Sequence, residues 1–207
     1  MFKNREDAGK KLAKLLKKIN NKESIVLAIP RGGVLIGNEI AKRLKIPLGI
    51  IVVRKLGFPS QPEFGIGAIS ENNVVYLDQA TIKRLDIDEK DISKIKNIEE
   101  KELIRRILLY REGKKLPPLK NKTAILVDDG LATGVSANAA IMAIKKAEPR
   151  EIIFVVPVAT FEAAEIIKKK VDHFYCLLCP KDLKAIGFYY KNFEQVSDEK
   201  VIELLNS

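Results

Sequence analysis

Residues 123–146 read TAILVDDGLATGVSANAAIMAIKK, and the fold turns on how this stretch divides. The opening TAILV, residues 123–127, is a short apolar run of the kind that forms a strand buried on both faces. Asp128 and Asp129 follow at once. Then comes the small-residue turn Gly130-Leu131-Ala132-Thr133-Gly134, and after it an Ala- and Met-rich helical pattern over 136–147. The unit is strand, acidic turn, loop, helix. In an open α/β sheet, ligands bind beyond the carboxyl ends of the strands, where the two acids fall. A loop over 131–136 would aim successive N–H groups outward in front of a helix N-terminus, which suits a phosphate. Thr133 and Ser136 add hydroxyls, while Gly130 and Gly134 allow close approach. Adjacent acids repel unless something cationic or rich in hydroxyls lies against them. A sugar diol with Mg²⁺ nearby would supply both.

No Gly-Lys-Ser/Thr follows these glycines and no Gly-x-Gly-x-x-Gly is present, so neither a P-loop nor a dinucleotide fingerprint is indicated. Residues 127–134 closely resemble the signature of type I phosphoribosyltransferases. The resemblance implies an α/β phosphoribosyltransferase-like fold, a mainly parallel five-stranded core sheet with helices on both faces and a small hood. It also implies roles: Asp128 and Asp129 on the ribose hydroxyls of phosphoribosyl pyrophosphate (PRPP), and Gly130, Leu131, Ala132, Thr133, Gly134 and Ser136 around its 5′-phosphate. Mg²⁺ would be the cofactor, reached by Asp128 and Asp129 through water.

A second strand, turn and helix unit lies upstream. Residues 24–29 read as a buried strand, Pro30-Arg31-Gly32-Gly33 as a turn, and 34–44 as a helix. The amides, the helix terminus and one Arg make this a second anion site. In the resembling family a pyrophosphate loop occupies this position, which assigns Arg31, Gly32 and Gly33 to pyrophosphate. Residues 47–53 form the next predicted strand, ending at Arg54-Lys55. The Gly- and Pro-containing 56–65 reads as an exposed, mobile loop. By resemblance it closes over the reacting centre, with Arg54 and Lys55 at its base.

A hairpin is predicted over 66–69 and 74–77, and charged helices over 86–110. Residues 113–121 form a connector, 151–156 and 172–178 are strands, Thr160 caps a helix reaching about 169, and the last helix covers 198–205. An amphipathic helix over 4–19 starts the chain, with Ala8, Leu12, Leu15, Leu16 and Ile19 on one face. The expectation is one domain over 1–207, its core about 24–178 and its hood from 54–112 and 179–207. The aromatics of 185–193 fit either a base-stacking surface or the seal of a core edge.

Composition bounds the partners. The chain has 207 residues, 46% hydrophobic, with a net charge of +10. That length suits one domain with a substantial core. No apolar run approaches the ~20 residues needed to span a bilayer. The start MFKNREDAGKK lacks a signal peptide's apolar segment, so a cytoplasmic, membrane-free protein is expected. The basic charge is spread along the chain and suits an anionic substrate as well as nucleic acid. Cys176 and Cys179 form a lone C-x-x-C without the four ligands a zinc site needs, so they read as buried thiols, and nothing singles out His173 as a base.

The expected activity is transfer of 5-phosphoribosyl from PRPP to a nitrogenous base with release of pyrophosphate, as in purine salvage, by a homodimer as is common in the family. The alternative is a PRPP-sensing regulator that binds RNA or DNA on the same fold. Too little chain precedes the first predicted strand for a separate DNA-binding domain, which favours the enzyme. In members acting on hypoxanthine and guanine, an acid stands two residues before the Gly of Thr-Gly. Here Ala132 stands there, as in the adenine-type pattern, while Gly130 departs from the bulkier residue common to both groups.

Overall fold

The computed structural model describes residues 1–17, 19, 23–58 and 61–207, with the backbone alone at 62 and 63. In chain order the elements are α1 (Arg5–Leu15), β1 (Ser24–Ala28), α2 (Gly32–Leu44), β2 (Leu48–Ile50), β3 (Val53–Phe58), β4 (Gln61–Ser70), β5 (Val74–Leu77), α3 (Gln79–Arg84) and α4 (Glu89–Arg111). They continue as β6 (Thr123–Val127), α5 (Val135–Lys145), β7 (Glu151–Val158), α6 (Phe161–Lys168), β8 (His173–Leu178), a 3₁₀ turn (Ile186–Tyr189) and α7 (Asp198–Leu205).

Five parallel strands make the central sheet in the order β2-β1-β6-β7-β8. Strict alternation decides which helix each side chain meets. Ile25, Leu27, Ala124, Leu126, Ile152 and Phe154 face the small-residue surfaces of α5 and α6. Val26, Ile125, Val127, Ile153 and Val155 face α1 and α2. With helices on both faces, β1 and β6 bury every residue, which is why they read as unbroken apolar runs. The acids at the end of β6 thereby fall at the carboxyl edge of the sheet, next to the end of β1.

A second, antiparallel sheet, β3-β4-β5, packs against α5 and the long α4. Here the structure corrects the expected mobile loop at 56–65. Leu56 is fully buried and Phe58 and Phe64 pack beside it, so β3 and β4 form a hairpin with two register shifts next to Gly57. Positions 59 and 60 of that predicted loop lie outside the described residues.

Other expectations shift by less. Helix α1 starts at its Asn4 cap but ends at Leu15, which is exposed, and position 18 of the predicted helix lies outside the described residues. The predicted helices over 86–110 are a single helix, α4, and α3 was not foreseen. Cys176 is partly buried, and burial pushes its thiol up to about 11. Cys179 is exposed, contrary to the expectation of two buried thiols. Among the described residues no helix is long and apolar enough to cross a membrane.

Candidate active site

Helix starts locate the site. Five of the seven α-helices are closed by a side chain, Asn4, Asp78, Asp88, Thr160 or Ser197, accepting an N–H of the first turn. The other two, α2 and α5, have no side-chain cap among the described residues. In α2 the Val34 N–H donates back to the Arg31 carbonyl at 3.1 Å, and the remaining first-turn N–H groups and the positive dipole ends of both helices are left for something else. Arg31 precedes α2, and the peptide bond between Pro30 and Arg31 is cis. Gly134, at φ +78°, precedes α5, a backbone conformation that favours glycine.

Both starts open on one cleft of about 360 Å³ at the carboxyl edge of the sheet. Of the residues singled out by sequence, Arg31, Gly32, Arg54, Lys55, Asp128, Asp129 and Ser136 line it. Gly33 lies just behind, where a Cβ would press on the Val127 carbonyl at 2.9 Å. Ala132 and Thr133 are exposed on the loop leading into α5. The amides of 132–135 donate to no protein acceptor among the described residues.

Leu131 requires a correction. It was expected to present its amide to phosphate, but that N–H donates to the Val158 carbonyl at 2.9 Å and the side chain is buried in the core. Gly130 has a packing reason as well. A Cβ there would overlap the Ile186 side chain, so the 3₁₀ turn can press on the acidic loop only if this position is Gly.

The acids are partnered from elements remote in sequence. Arg5 Nε donates to Asp129 Oδ2 at 2.7 Å, with the Arg side chain only 9% exposed. The same guanidinium donates to the Glu194 carbonyl at 2.9 Å and lies over the Phe193 ring at 3.8 Å. Tyr190 stacks on Phe193 and donates its hydroxyl to the Asp129 carbonyl at 2.7 Å. Tyr190 and Phe193 therefore seal the α1 edge, while Phe188 is 69% exposed. The cation that adjacent acids require is thus partly supplied by the protein itself. Sequence reasoning missed Arg5, Tyr190 and also Arg106, which lines the cleft and donates to Glu102 at 2.7 Å.

The other cations are held too. Arg54 pairs with Glu99 at 2.6 Å, and Lys55 lies along Gly65. Arg31 approaches Asp198 at 3.5 Å, and Asp198 also accepts from Tyr110 at 2.5 Å and Arg105 at 3.2 Å. Burial pushes the Asp198 carboxyl up, but the Tyr110 hydroxyl and the two arginines hold it below the usual range. Away from the cleft, His173 is exposed and 3.6 Å from Glu151.

Burial, and Asp129 alongside, push the Asp128 carboxyl well above its ordinary 3.8, against the pull of the Asp129 N–H and Arg5. A raised folded value means the folded protein keeps this proton where the unfolded chain has lost it. Stability from this group is present below about 3.8 and is lost as pH rises through the folded value. Asp128→Asn should therefore raise the melting temperature of the ligand-free protein at neutral pH. The gain over wild type should vanish as pH falls toward 4. Melting curves across pH check this, and a constant difference would refute the assignment.

The donor set bears on Mg²⁺. No group of three or more His, Cys, Asp or Glu residues able to hold a metal ion occurs among the described residues. Mg²⁺ is commonly held by one or two carboxylates plus substrate phosphates and water, so Asp128 and Asp129 fit a shared site rather than a protein cage.

The model of the phosphoribosyl transferase domain matches residues 2–192. The chain belongs to the phosphoribosyltransferase family. A Mycobacterium tuberculosis H37Rv protein, provisionally named a phosphoribosyl transferase, is 36% identical over 206 residues, covering 100% of this chain and 46% of its own. The chain thus spans about half the length of the curated relatives it matches. A crystal structure from Thermus thermophilus superposes with a TM-score of 0.80 at 35% identity, covering 99% of this chain and 97% of that one. The purine phosphoribosyltransferase of Pyrococcus horikoshii shares the fold, with a TM-score of 0.54 at 16% identity over 95% of this chain and 97% of its own.

Proposed function

We propose that this phosphoribosyltransferase is a cytoplasmic, Mg²⁺-dependent enzyme that moves 5-phosphoribosyl from PRPP to a ring nitrogen of a nucleobase. The observation that carries this reading is the pair of uncapped helix starts, α2 and α5, opening with two acids on one cleft. A substrate with phosphate at one end, a diol between, and pyrophosphate at the other matches that order.

In this reading the start of α5, with Thr133 and Ser136, takes the 5′-phosphate, and Asp128 and Asp129 take the ribose hydroxyls. Arg31 and the Gly32 and Gly33 amides at the start of α2 stabilise the pyrophosphate as its bond to the ribose carbon breaks and the acceptor nitrogen bonds there. Mg²⁺, held with the substrate phosphates beside the acids, would supply further charge neutralisation. One domain carries the chemistry, with 24–178 as core and 54–112 and 179–207 as hood. Arg54 and Lys55 on β3, with Arg106 on α4, form the hood side of the cleft and limit the water that would hydrolyse PRPP.

Arg31→Ala should weaken pyrophosphate and PRPP by roughly 10- to 100-fold, the loss of a charge-assisted contact, and leave ribose 5-phosphate unaffected. A loss for ribose 5-phosphate with pyrophosphate unaffected, read by titration calorimetry, would mean the two anion sites are assigned the wrong way round, and equal losses would mean Arg31 does not discriminate between them.

The acceptor follows from Ala132. Its methyl group can neither give nor take a proton, and its carbonyl is occupied by the Thr160 hydroxyl at 2.8 Å. Hypoxanthine and guanine should be poor acceptors, roughly 100-fold below adenine or another base needing no acid here. The decisive experiment follows pyrophosphate release from PRPP and Mg²⁺ with adenine, hypoxanthine, guanine, uracil and orotate. A best rate with hypoxanthine or guanine would defeat the argument from Ala132. Salt-dependent RNA binding without turnover of any base would instead establish a regulator.

A further inference from the structure

Behind the start of α5 lies a polar group that the functions above do not use. Asn138, in the second turn of α5, is only 2% exposed. Its backbone N–H donates to the Gly134 carbonyl at 2.8 Å, the ordinary helical bond. Its side-chain Nδ2 donates to the same carbonyl at 2.9 Å. The side-chain bond is not needed to continue the helix. It is a second hold on one peptide plane, using the carbonyl's second lone pair.

That plane matters because a trans peptide directs its C=O and the following N–H in opposite senses. Holding the Gly134 carbonyl into the helix therefore aims the Val135 N–H out of the N-terminus, toward the candidate phosphate site. An Asn amide can do this only one way round, since the flipped amide would set oxygen against oxygen. Lys170 settles the orientation. Its amine, a donor that cannot accept, meets Asn138 Oδ1. The same amine lies 5.2 Å from the centre of the Tyr76 ring on β5. Burial, with Lys145 nearby, lowers the affinity of this amine for its proton, as fits a cation enclosed between a ring and an amide. The second sheet, the chain just after α6 and the start of α5 meet at one amide.

We propose that Asn138 and Lys170 are positioning residues for the 5′-phosphate: Lys170 fixes the Asn138 amide, and the amide fixes the Gly134–Val135 peptide that faces the anion. This rests on the phosphoribosyl-transfer reading and adds to it a support behind the loop. The tether touches no part of the pyrophosphate turn at Arg31, so its effect should be confined to one end of the substrate.

The test titrates the full chain separately with ribose 5-phosphate and with pyrophosphate. Asn138→Ala should weaken ribose 5-phosphate by about tenfold, the worth of one such hydrogen bond, with pyrophosphate affinity unchanged. Lys170→Met should shift the same ligand in the same direction by less, and Lys170→Arg should restore it. Should Asn138→Ala fail to fold, the two Lys170 variants carry the test, because that side chain is only partly buried. A purely structural role would lower the melting temperature without changing the ratio of the two affinities. Equal losses for both ligands, or none, would overturn the tether. A wild-type protein that binds neither ligand would remove the phosphoribosyl reading, and the tether with it.

Discussion

Asp129→Ala should melt roughly 6–12 °C below wild type and bind PRPP roughly 100-fold more weakly. The stability loss follows from Arg5, whose side chain is 9% exposed and whose Nε has Asp129 as its carboxylate partner at 2.7 Å. Removing one member of a buried ion pair leaves the other charge without compensation. Such losses run to about 3 kcal/mol, and a chain of this size loses about 2–4 °C per kcal/mol. The lower end of the usual range applies because Arg5 keeps the Glu194 carbonyl and the Phe193 ring. Asp129→Asn separates the two effects. Its amide oxygen can still accept from Arg5, although the charge is lost, so the melting temperature should fall by less than in Asp129→Ala. Binding should still fall, since a neutral acceptor replaces a charged one at the proposed contact with the ribose hydroxyls. Thermal melts and titration calorimetry on both variants read this directly. An Ala variant that melts and binds as wild type would show the acid to be an ordinary surface residue.

The Arg5 pair also marks where sequence reading stops. The apolar runs of β1 and β6 are legible because both faces of the central sheet are covered, which leaves no polar alternation to obscure them. The acids and the two Gly-containing turns are legible because their signal is local: a strand end, its glycines and the helix start that follows lie within a few residues. Arg5 stands 124 residues from Asp129 in the chain and looks like any charge in the first turn of an amphipathic helix. Only the docking of α1 against α2, β7 and β8 brings the two together, and no spacing rule encodes that. Tyr190 and Arg106 escape notice for the same reason.

The hairpin at β3 and β4 is a different failure. Its period-two pattern exists, with Leu56, Phe58, Phe64 and Ile66 packed, but glycines interrupt it and suggest a flexible segment. Gly67 is glycine for packing, since a Cβ there would overlap the Tyr76 carbonyl across the sheet. At Gly65 a Cβ would stand 2.8 Å from Lys55 Cδ and 3.0 Å from Val135 Cγ2, so those side chains would have to give way. Helix α3, by contrast, carries a readable signal, the Asp78 cap accepting from the Thr81 amide, but it is only six residues long.

Gly32→Ala should abolish most PRPP and pyrophosphate binding, by roughly 10- to 100-fold, at a stability cost of about 1–3 kcal/mol. A Cβ at this position would overlap the Asp129 carboxylate and stand 2.8 Å from Arg5 Nε. The carboxylate cannot swing aside without opening its 2.7 Å bond to Arg5 Nε, which itself stands in the way of the new Cβ. Either the ion pair opens or the first turn of α2 moves away from the acids. Both outcomes separate the turn proposed for pyrophosphate from the acids proposed for the ribose, whose spacing PRPP would require. Gly37→Ala is the matched control. Its Cβ would stand 2.9 Å from the Ala28 Cβ and 3.2 Å from Leu48 Cδ1, so it overpacks the interface of α2 with the sheet away from the cleft. That variant should lose comparable stability and keep its affinity for both ligands. Parallel melts and titrations decide the matter: if the two alanines cost the same in binding, then the close approach of Gly32 to Asp129 serves packing alone.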